Sequence, residues 1–352
     1  MMERHSFLGA CSESGFISLF DPFVAGRRHV YVLKAGPGTG KSTLMRALAA
    51  RAKEKGLEAE EIHCSSDPDS LDAVWIPALD TCMLDGTPPH VVEPPLPGAI
   101  GTIVNLYPFW DRESLQKNTA AIRESGRKMA HLHTRATLYL AAAGRLQREL
   151  SGIGFSLLDR RRLLGYTERL LSRCVRPTGH APQEEKRFFA AITPKGRVFF
   201  SPPTAEGEKQ LVIDDDYGVA TRLLESVRVR ALKQGHRVVS GYSPLIPDAL
   251  THLILPEAGI SFCLSNSLHK TEPKPYCRIR ASRFLKPEQE AEVKKRAAFL
   301  RRSRDEIIQE AVGLLAACKE EHDRLELIYR AAVDFPALSA YGEKLLREII
   351  PD

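Results

Sequence analysis

The stretch VYVLKAGPGTGKSTLMRALAARAKEKG, residues 30–56, decides the fold of this chain. Residues 30–33 are apolar and β-prone, and the residues that follow them are rich in glycine. Leu44 and Leu48, set among alanines, suit a helix that ends at Gly56. Strand, glycine-rich loop and helix in this order are typical of an α/β fold with a nucleotide-binding loop.

The loop fits the pattern of a phosphate-binding loop, or P-loop, with Ala35 where the first glycine usually stands. A phosphate chain requires inward-pointing backbone amides, and glycine is needed wherever a Cβ would collide or φ is positive. Lys41 would bridge the β- and γ-phosphates, Ser42 would coordinate Mg²⁺, and Thr43 would lie near the α-phosphate. We therefore expect ATP and Mg²⁺ as cofactors. The residues expected to bind the nucleotide are Gly36, Pro37, Gly38, Thr39, Gly40, Lys41, Ser42 and Thr43.

Composition excludes several classes of protein. The 352 residues are 43% hydrophobic and 27% charged, as in globular proteins with real cores. Seven scattered cysteines form no CxxC pair, so neither a disulfide framework nor a zinc ribbon is indicated. This cysteine pattern suits a reducing cytoplasm, where we expect the protein. No stretch approaches 18 consecutive apolar residues, so we expect no transmembrane helix and no contact with a membrane.

The chain contains an internal repeat at an offset of 179 residues. Residues 44–56 align with 223–235, and PDSLDAVWIP (68–77) aligns with PDALTHLILP (247–256), with matching prolines and glycine. The flanking FLGACSESG (7–15) parallels FFAAITPKG (188–196). We interpret this repeat as a duplication.

The repeat divides the chain into five segments. Residues 1–107 form the nucleotide-binding core, with strands near 30–34, 58–63 and 79–84. A basic helical region (108–176) starts after Asp111, a residue type that caps helices. The remaining segments are a linker (177–186), a second, degenerate core (187–283) and a C-terminal helical region (284–352). The predicted fold class is α/β: a P-loop NTPase-type parallel sheet, duplicated, with a long helical hairpin after each half.

The second half has a different loop sequence. Gly36–Ser42 correspond to Asp215–Thr221, with Ala220 at the position of the lysine. The three carboxylates of Asp214–Asp216 would repel phosphates. Alternatively, QLVIDDD (210–216) is a Walker B strand of one composite core, whose acids hold Mg²⁺. Both interpretations require a partner for the three aspartates.

Two acids of the first half are candidate catalytic residues. Asp85 follows an apolar strand where a carboxylate would organise Mg²⁺, although Asp85-Gly86 also suits a turn. Asp67 would orient water or deprotonate a substrate, or would cap the next turn. His63, Cys64 and His90 have no further ligands at metal spacing, so no zinc site is predicted.

Residues 112–176 hold 14 Lys/Arg against 5 Asp/Glu. Such a surface attracts nucleic acid or an acidic protein, or is an ordinary solvated helix face.

The motifs GPGTGKST, HCSSDPDSLDAVWIP, DGTPPHVVEP and NLYPFWD together resemble an uncharacterised family of bacterial, largely Firmicute, P-loop ATPases with two tandem halves. The resemblance spans essentially the whole chain and implies ATP binding in the cytoplasm. It makes residues 36–43 the phosphate loop, faced by the loops at 63–67 and 85–90. Members often carry a second P-loop, from which this chain departs.

The function expected from the sequence is a Mg²⁺-dependent ATPase with one competent and one degenerate site, which switches an unknown partner. Lys41, Asp67 and Asp85 are the expected catalytic residues, with Ser42 and Asp85 as the metal ligands. The alternatives are a small-molecule kinase and a non-hydrolysing nucleotide sensor that binds nucleic acid or protein through its basic helices.

Overall fold

The computed structural model describes residues 4–88, 91–201, 209–269 and 275–352 and contains two similar halves. In the first half the strands are β1 (Arg4–Phe7), β2 (Gly9–Ser12), β3 (Gly15–Ser18), β4 (His29–Lys34), β5 (Glu60–His63), β6 (Leu71–Ile76), β7 (Thr81–Asp85) and β8 (Gly101–Asn105). Its helices are α1 (Phe20–Ala25), α2 (Lys41–Glu54), α3 (Arg112–Lys117), α4 (Thr119–Leu157) and α5 (Arg160–Cys174).

The second half repeats the order of the eight strands and the helix between the fourth and fifth of them. Its strands are β9 (Gln183–Arg187), β10 (Ala190–Thr193), β11 (Gly196–Phe199), β12 (Lys209–Asp214), β13 (Arg237–Tyr242), β14 (Leu250–Leu255), β15 (Ile260–Ser265) and β16 (Cys277–Arg280). Its helices are α6 (Ala220–Lys233), α7 (Pro287–Arg330) and α8 (Phe335–Ile349).

Each half contains a six-stranded sheet of the same topology. The first has the order β1-β5-β6-β7-β4-β8, and the second, read from its other edge, has the order β9-β13-β14-β15-β12-β16. The predicted duplication is therefore matched strand by strand. The sheets are mixed rather than parallel, because β6 and β14 run antiparallel to both of their neighbours. The alternative of one composite core is wrong, because β12 belongs to the second sheet and not to the sheet that contains β4.

Helix α2 shows why these segments fold as they do. Met45, Leu48, Ala49 and Ala52 follow helical spacing and are buried on one stripe, in a core shared with β6 and β7. The helix ends before Gly56, whose φ of +74° suits glycine, and the amide of Leu57 bonds back to the carbonyl of Ala52. Asp111 caps α3 as predicted and accepts hydrogen bonds from the amides of Glu113 and Ser114.

The long helices do not form a hairpin within each half. Helix α4 pairs with α7 of the other half in antiparallel fashion, as the Ser125–Glu321 and Gln147–Arg304 hydrogen bonds show. Small and apolar residues fill the seam between them. They include Ala136, Leu140, Ala143, Ile308, Ala311 and Leu315.

The ends of these helices are exchanged between the halves. Leu338 and Leu345 of α8 are buried in the core of the first sheet, whereas Leu163 and Leu171 of α5 are buried in the core of the second. Two isolated β-bridges connect the exchanged segments. Trp110 pairs with Val333, and Leu158 pairs with Leu285. Each half therefore completes its core with helices that follow the other half.

Strand β9 begins at Gln183, inside the segment 177–186 that the sequence assigned to a linker, and it pairs with β13. Among the described residues, no helix has the length and apolar character needed to cross a membrane.

Candidate functional site

The glycine-rich segment between β4 and α2, residues 35–40, is called the first loop here. Gly38 and Gly40 have φ values of +67° and +80°, which side-chain-bearing residues rarely adopt. The hydroxyl of Thr39 donates to the carbonyl of Gly36 and closes the turn. Helix α2 begins directly at Lys41, so its free amides face the loop.

Lys41 joins this loop to the neighbouring strand. Its Nζ donates to the carbonyl of Gly36 at 2.8 Å and to that of Ala35 at 3.3 Å, and it lies 3.3 Å from Oδ2 of Asp85. The two side chains of the ion pair are 11% and 15% exposed. Strand β7, which ends in Asp85, lies beside and parallel to β4. The structure thus brings together two residues that the sequence proposed separately.

Asp85 also serves the turn that follows it. Its Oδ1 accepts hydrogen bonds from the amide of Thr87 at 2.9 Å and from its hydroxyl at 2.6 Å. One carboxylate oxygen therefore holds the turn while the other faces Lys41. His90, which the sequence placed at the end of this motif loop, lies outside the described residues.

Ser42 is engaged by two donors. Its Oγ accepts from the amide of Leu71 at 2.9 Å and from the guanidinium of Arg46 at 3.1 Å. Arg46 has an exposed side chain, so its contact is the one that can open at small cost. Coordination of Mg²⁺ by Ser42 would require that opening.

Asp67 lies against the second half. Its Oδ2 accepts from the hydroxyl of Ser70 at 2.9 Å and lies 3.4 Å from Nζ of Lys319 on α7. These described contacts do not include Lys41 or Asp85. The predicted role of Asp67 with a water or substrate therefore receives no support from its contacts.

The end of α7 covers the first loop. A Cβ at Gly36 would lie 2.9 Å from the ring of Tyr329 and 3.0 Å from the indole of Trp110. A Cβ at Gly38 would lie 2.9 Å from the carbonyl oxygen of Glu326. Sequence reasoning missed this contact, since α7 lies almost 300 residues further along the chain. The only signal was Trp110, inside the NLYPFWD motif.

The corresponding segment of the second half, residues 214–219, is called the second loop. Asp215 stands at the position of Gly36, and its carboxylate accepts from the amide of Tyr217 at 2.9 Å and of Ala220 at 2.7 Å. Burial raises the pKa of Asp215, while hydrogen bonds from the amides at 217–220 oppose that rise. The loop therefore encloses an acid from its own sequence.

The other two aspartates do not complete a metal site. Asp214 forms an ion pair with Arg278 at 2.5 Å, and Asp216 is exposed. The contacts of these residues therefore give the Walker B alternative no support. The partners of the three acids are an arginine, the backbone amides and solvent.

Part of the positive charge of residues 112–176 is neutralised within the molecule. Arg148 on α4 forms ion pairs with Glu13 and Asp248. Arg123, Arg127 and Arg135, by contrast, are exposed on α4.

Comparison of the chain with protein-family models, with curated proteins and with solved structures found no match in any of the three. The geometry of the two loops is therefore the evidence that bears on function.

Proposed function

We propose that the first loop binds ATP with Mg²⁺ and that the first half hydrolyses it, whereas the second loop binds no nucleotide. The observation that carries this proposal is the contrast between the two loops. In the second loop, the amides at 217–219 and the amide of Ala220, the first residue of α6, surround the carboxylate of Asp215. In the first loop the equivalent residue is Gly36, which has no side chain to fill the same place.

The residues around the first loop fit a bound triphosphate. The amides at the start of α2 and the ammonium of Lys41 supply positive charge where phosphate oxygens would lie. Among the described residues, no side chain accepts a hydrogen bond from the amides at 38–41. Phosphate oxygens would satisfy these donors.

Asp85 and Ser42 fit a hard divalent cation. Oδ2 of Asp85 faces the loop, and carboxylate and hydroxyl oxygens are the ligands that Mg²⁺ prefers. When bound, Mg²⁺ would neutralise charge on the phosphates. Lys41 would then exchange part of its pairing with Asp85 for the phosphates.

The contact between the first loop and α7 supports a role as a switch. Glu326 and Tyr329 pack directly on Gly38 and Gly36, and α7 pairs with α4 along its length. A phosphate chain in the loop would compete with or reinforce this packing. Nucleotide binding would therefore alter how the exchanged helices sit on the first half.

The test is ATP turnover with Mg²⁺ by wild-type protein, Lys41→Ala and Lys55→Ala. Lys55 caps the far end of the same helix, so its variant is the matched control for loss of a lysine. We expect Lys41→Ala to lose turnover and Lys55→Ala to keep it. Turnover by Lys41→Ala at the wild-type rate would refute the proposal. If small acceptors are added to the same assay and the phosphate is transferred to one of them, the protein is a kinase rather than an ATP hydrolase.

A further inference from the structure

Three side chains of metal-binding types meet at the edge of the first sheet, on β1 and β5. Nδ1 of His5 lies 3.0 Å from Nε2 of His63 and 4.0 Å from Oε2 of Glu61. All three ligand atoms lie within 4.8 Å of one another. The sequence predicts no zinc site at His63, because no further ligand stands near it in the chain. His5 is 58 residues away, and only the fold brings it close.

The hydrogen bonds of His63 orient it as a metal ligand. Its Nδ1 lies 2.8 Å from the carbonyl oxygen of Pro68, which can only accept, so Nδ1 carries the proton. In the neutral ring Nε2 then presents its lone pair towards His5 and Glu61. Histidines that bind metals usually donate their other nitrogen to a carbonyl or carboxylate in this way.

Aromatic packing holds the two imidazoles in place. The ring of Phe200, from the second half, lies 4.6 Å from that of His63 and 5.5 Å from that of His5. Phe7 stacks on Phe200 at 4.8 Å and lies 6.2 Å from the ring of His63. The two imidazoles are thus fixed by contacts from both halves of the molecule.

We propose that His5, Glu61 and His63 form a binding site for a divalent transition metal, with Zn²⁺ as the best fit. Zinc bonds to nitrogen of about 2.0–2.1 Å in tetrahedral geometry separate the ligand atoms by roughly 3.3 Å. The present spacings require only small side-chain rotations to reach that value. Two imidazoles and one carboxylate leave a fourth position open to water or a substrate, as in catalytic zinc sites.

The surroundings agree with an open site. The side chains of His5 and Glu61 are 30% and 33% exposed, so the fourth position is reachable from solvent. Glu61 supplies a negative charge that offsets the nearby guanidinium of Arg46. Among the described residues, the group of ligand atoms at this place comprises His5, Glu61 and His63 and does not include Cys64.

The second half does not repeat the cluster. The positions of His5, Glu61 and His63 hold Lys186, Ser240 and Tyr242. Lys186 and Tyr242 instead line a cavity of about 520 Å³. The metal site therefore belongs only to the half that also contains the first loop.

The test uses untagged full-length protein and Zn²⁺ or Co²⁺ alone, without nucleotide. Calorimetric titration with Zn²⁺ is expected to give one site per chain, and Co²⁺ is expected to show visible absorption of a tetrahedral complex. Excess Mg²⁺ is expected not to displace either ion, because imidazole nitrogen favours transition metals. Absence of a one-to-one site for Zn²⁺ would overturn the proposal.

Three variants assign the ligands: His63→Gln, His5→Gln and Glu61→Gln. Each is expected to weaken Zn²⁺ binding by about tenfold or more. His322→Ala is the matched control, because His322 belongs to a separate His–Asp–Glu group on α7. Circular dichroism of each variant verifies folding, and Glu61→Gln preserves the shape of the side chain. Wild-type affinity in all three variants, or loss of the site in His322→Ala alone, would also overturn the proposal.

Discussion

Gly36 and Asp215 occupy equivalent positions in the two loops. The carboxylate of Asp215 accepts hydrogen bonds from the amides of Tyr217 and Ala220, whereas Gly36 has no side chain that could do so. The amides of the second loop thus bind an acid of the chain itself. In the proposed function, the amides of the first loop bind a triphosphate. The carboxylate of Asp215 holds the second loop together, and this loop has one glycine, Gly218 with a φ of +77°, and no lysine.

The account predicts that Asp215 stabilises the second half. Asp215→Ala removes the acceptor for the amides of Tyr217 and Ala220, so the free energy of unfolding should fall by about 1–3 kcal/mol. Asp216→Ala, next to it but exposed, should change it by less than about 0.5 kcal/mol. Urea unfolding of the two variants measures the difference. Equal stabilities would show that the amides do not depend on the carboxylate.

Contact between α7 and the first loop predicts a large effect of Gly38→Ala. The new Cβ would meet the carbonyl of Glu326 and would also strain the positive φ, at a cost of about 1–3 kcal/mol. Gly56→Ala is the control, since Gly56 has a similar φ of +74° but nothing within 4 Å of an added Cβ. Hydrogen exchange should increase at 326–330 only in Gly38→Ala. Unchanged exchange there would contradict the contact.

The buried ion pair between Glu60 and Arg187 predicts loss of stability in acid. It joins β5 to β9 across the two halves, with N–O distances of 2.7 and 3.1 Å. Burial alone would raise the pKa of Glu60, but the charge and hydrogen bonds of Arg187 outweigh burial and lower it. The folded protein therefore holds this proton less tightly than the unfolded chain. The stabilisation is complete above the unfolded pKa, about 4.3, and disappears as the pH falls through the lower folded value.

Glu60→Gln tests this pair. At neutral pH the variant should lose about 3–5 kcal/mol of stability, because it leaves Arg187 buried with a weaker partner. Its stability should also depend less on pH below 5 than that of the wild type. Glu58→Gln is the control, since the Glu58–Arg4 pair is partly exposed. An equally steep acid dependence in Glu60→Gln would assign the effect to other groups.

The sequence predicted the repeat and the loop because both depend on local patterns. Gly38 and Gly40 announce positive φ values by residue type, and Pro68–Pro77 repeats as Pro247–Pro256. Strand β6 was aligned in the repeat but not recognised as a strand, so the sheet was wrongly predicted to be parallel. Its LDAVWI sequence is buried throughout and lacks the alternation of a half-exposed strand.

The exchange of helices could not be predicted in the same way. An apolar stripe on α4 or α7 specifies that the helix needs a partner, but not which helix supplies it. The approach of His5 to His63 and of Tyr329 to Gly36 also depends on this long-range assembly. The residues of the loop were therefore predictable, and those that cover it were not.

The central claim is that one half of the molecule binds nucleotide and the other does not. The most direct test is the stoichiometry of Mg-ATP binding to the purified chain, measured by isothermal titration calorimetry. We expect one ATP per chain in the wild type and in Asp215→Ala, and none in Lys41→Ala. Two molecules per wild-type chain, or one that survives Lys41→Ala, would contradict it.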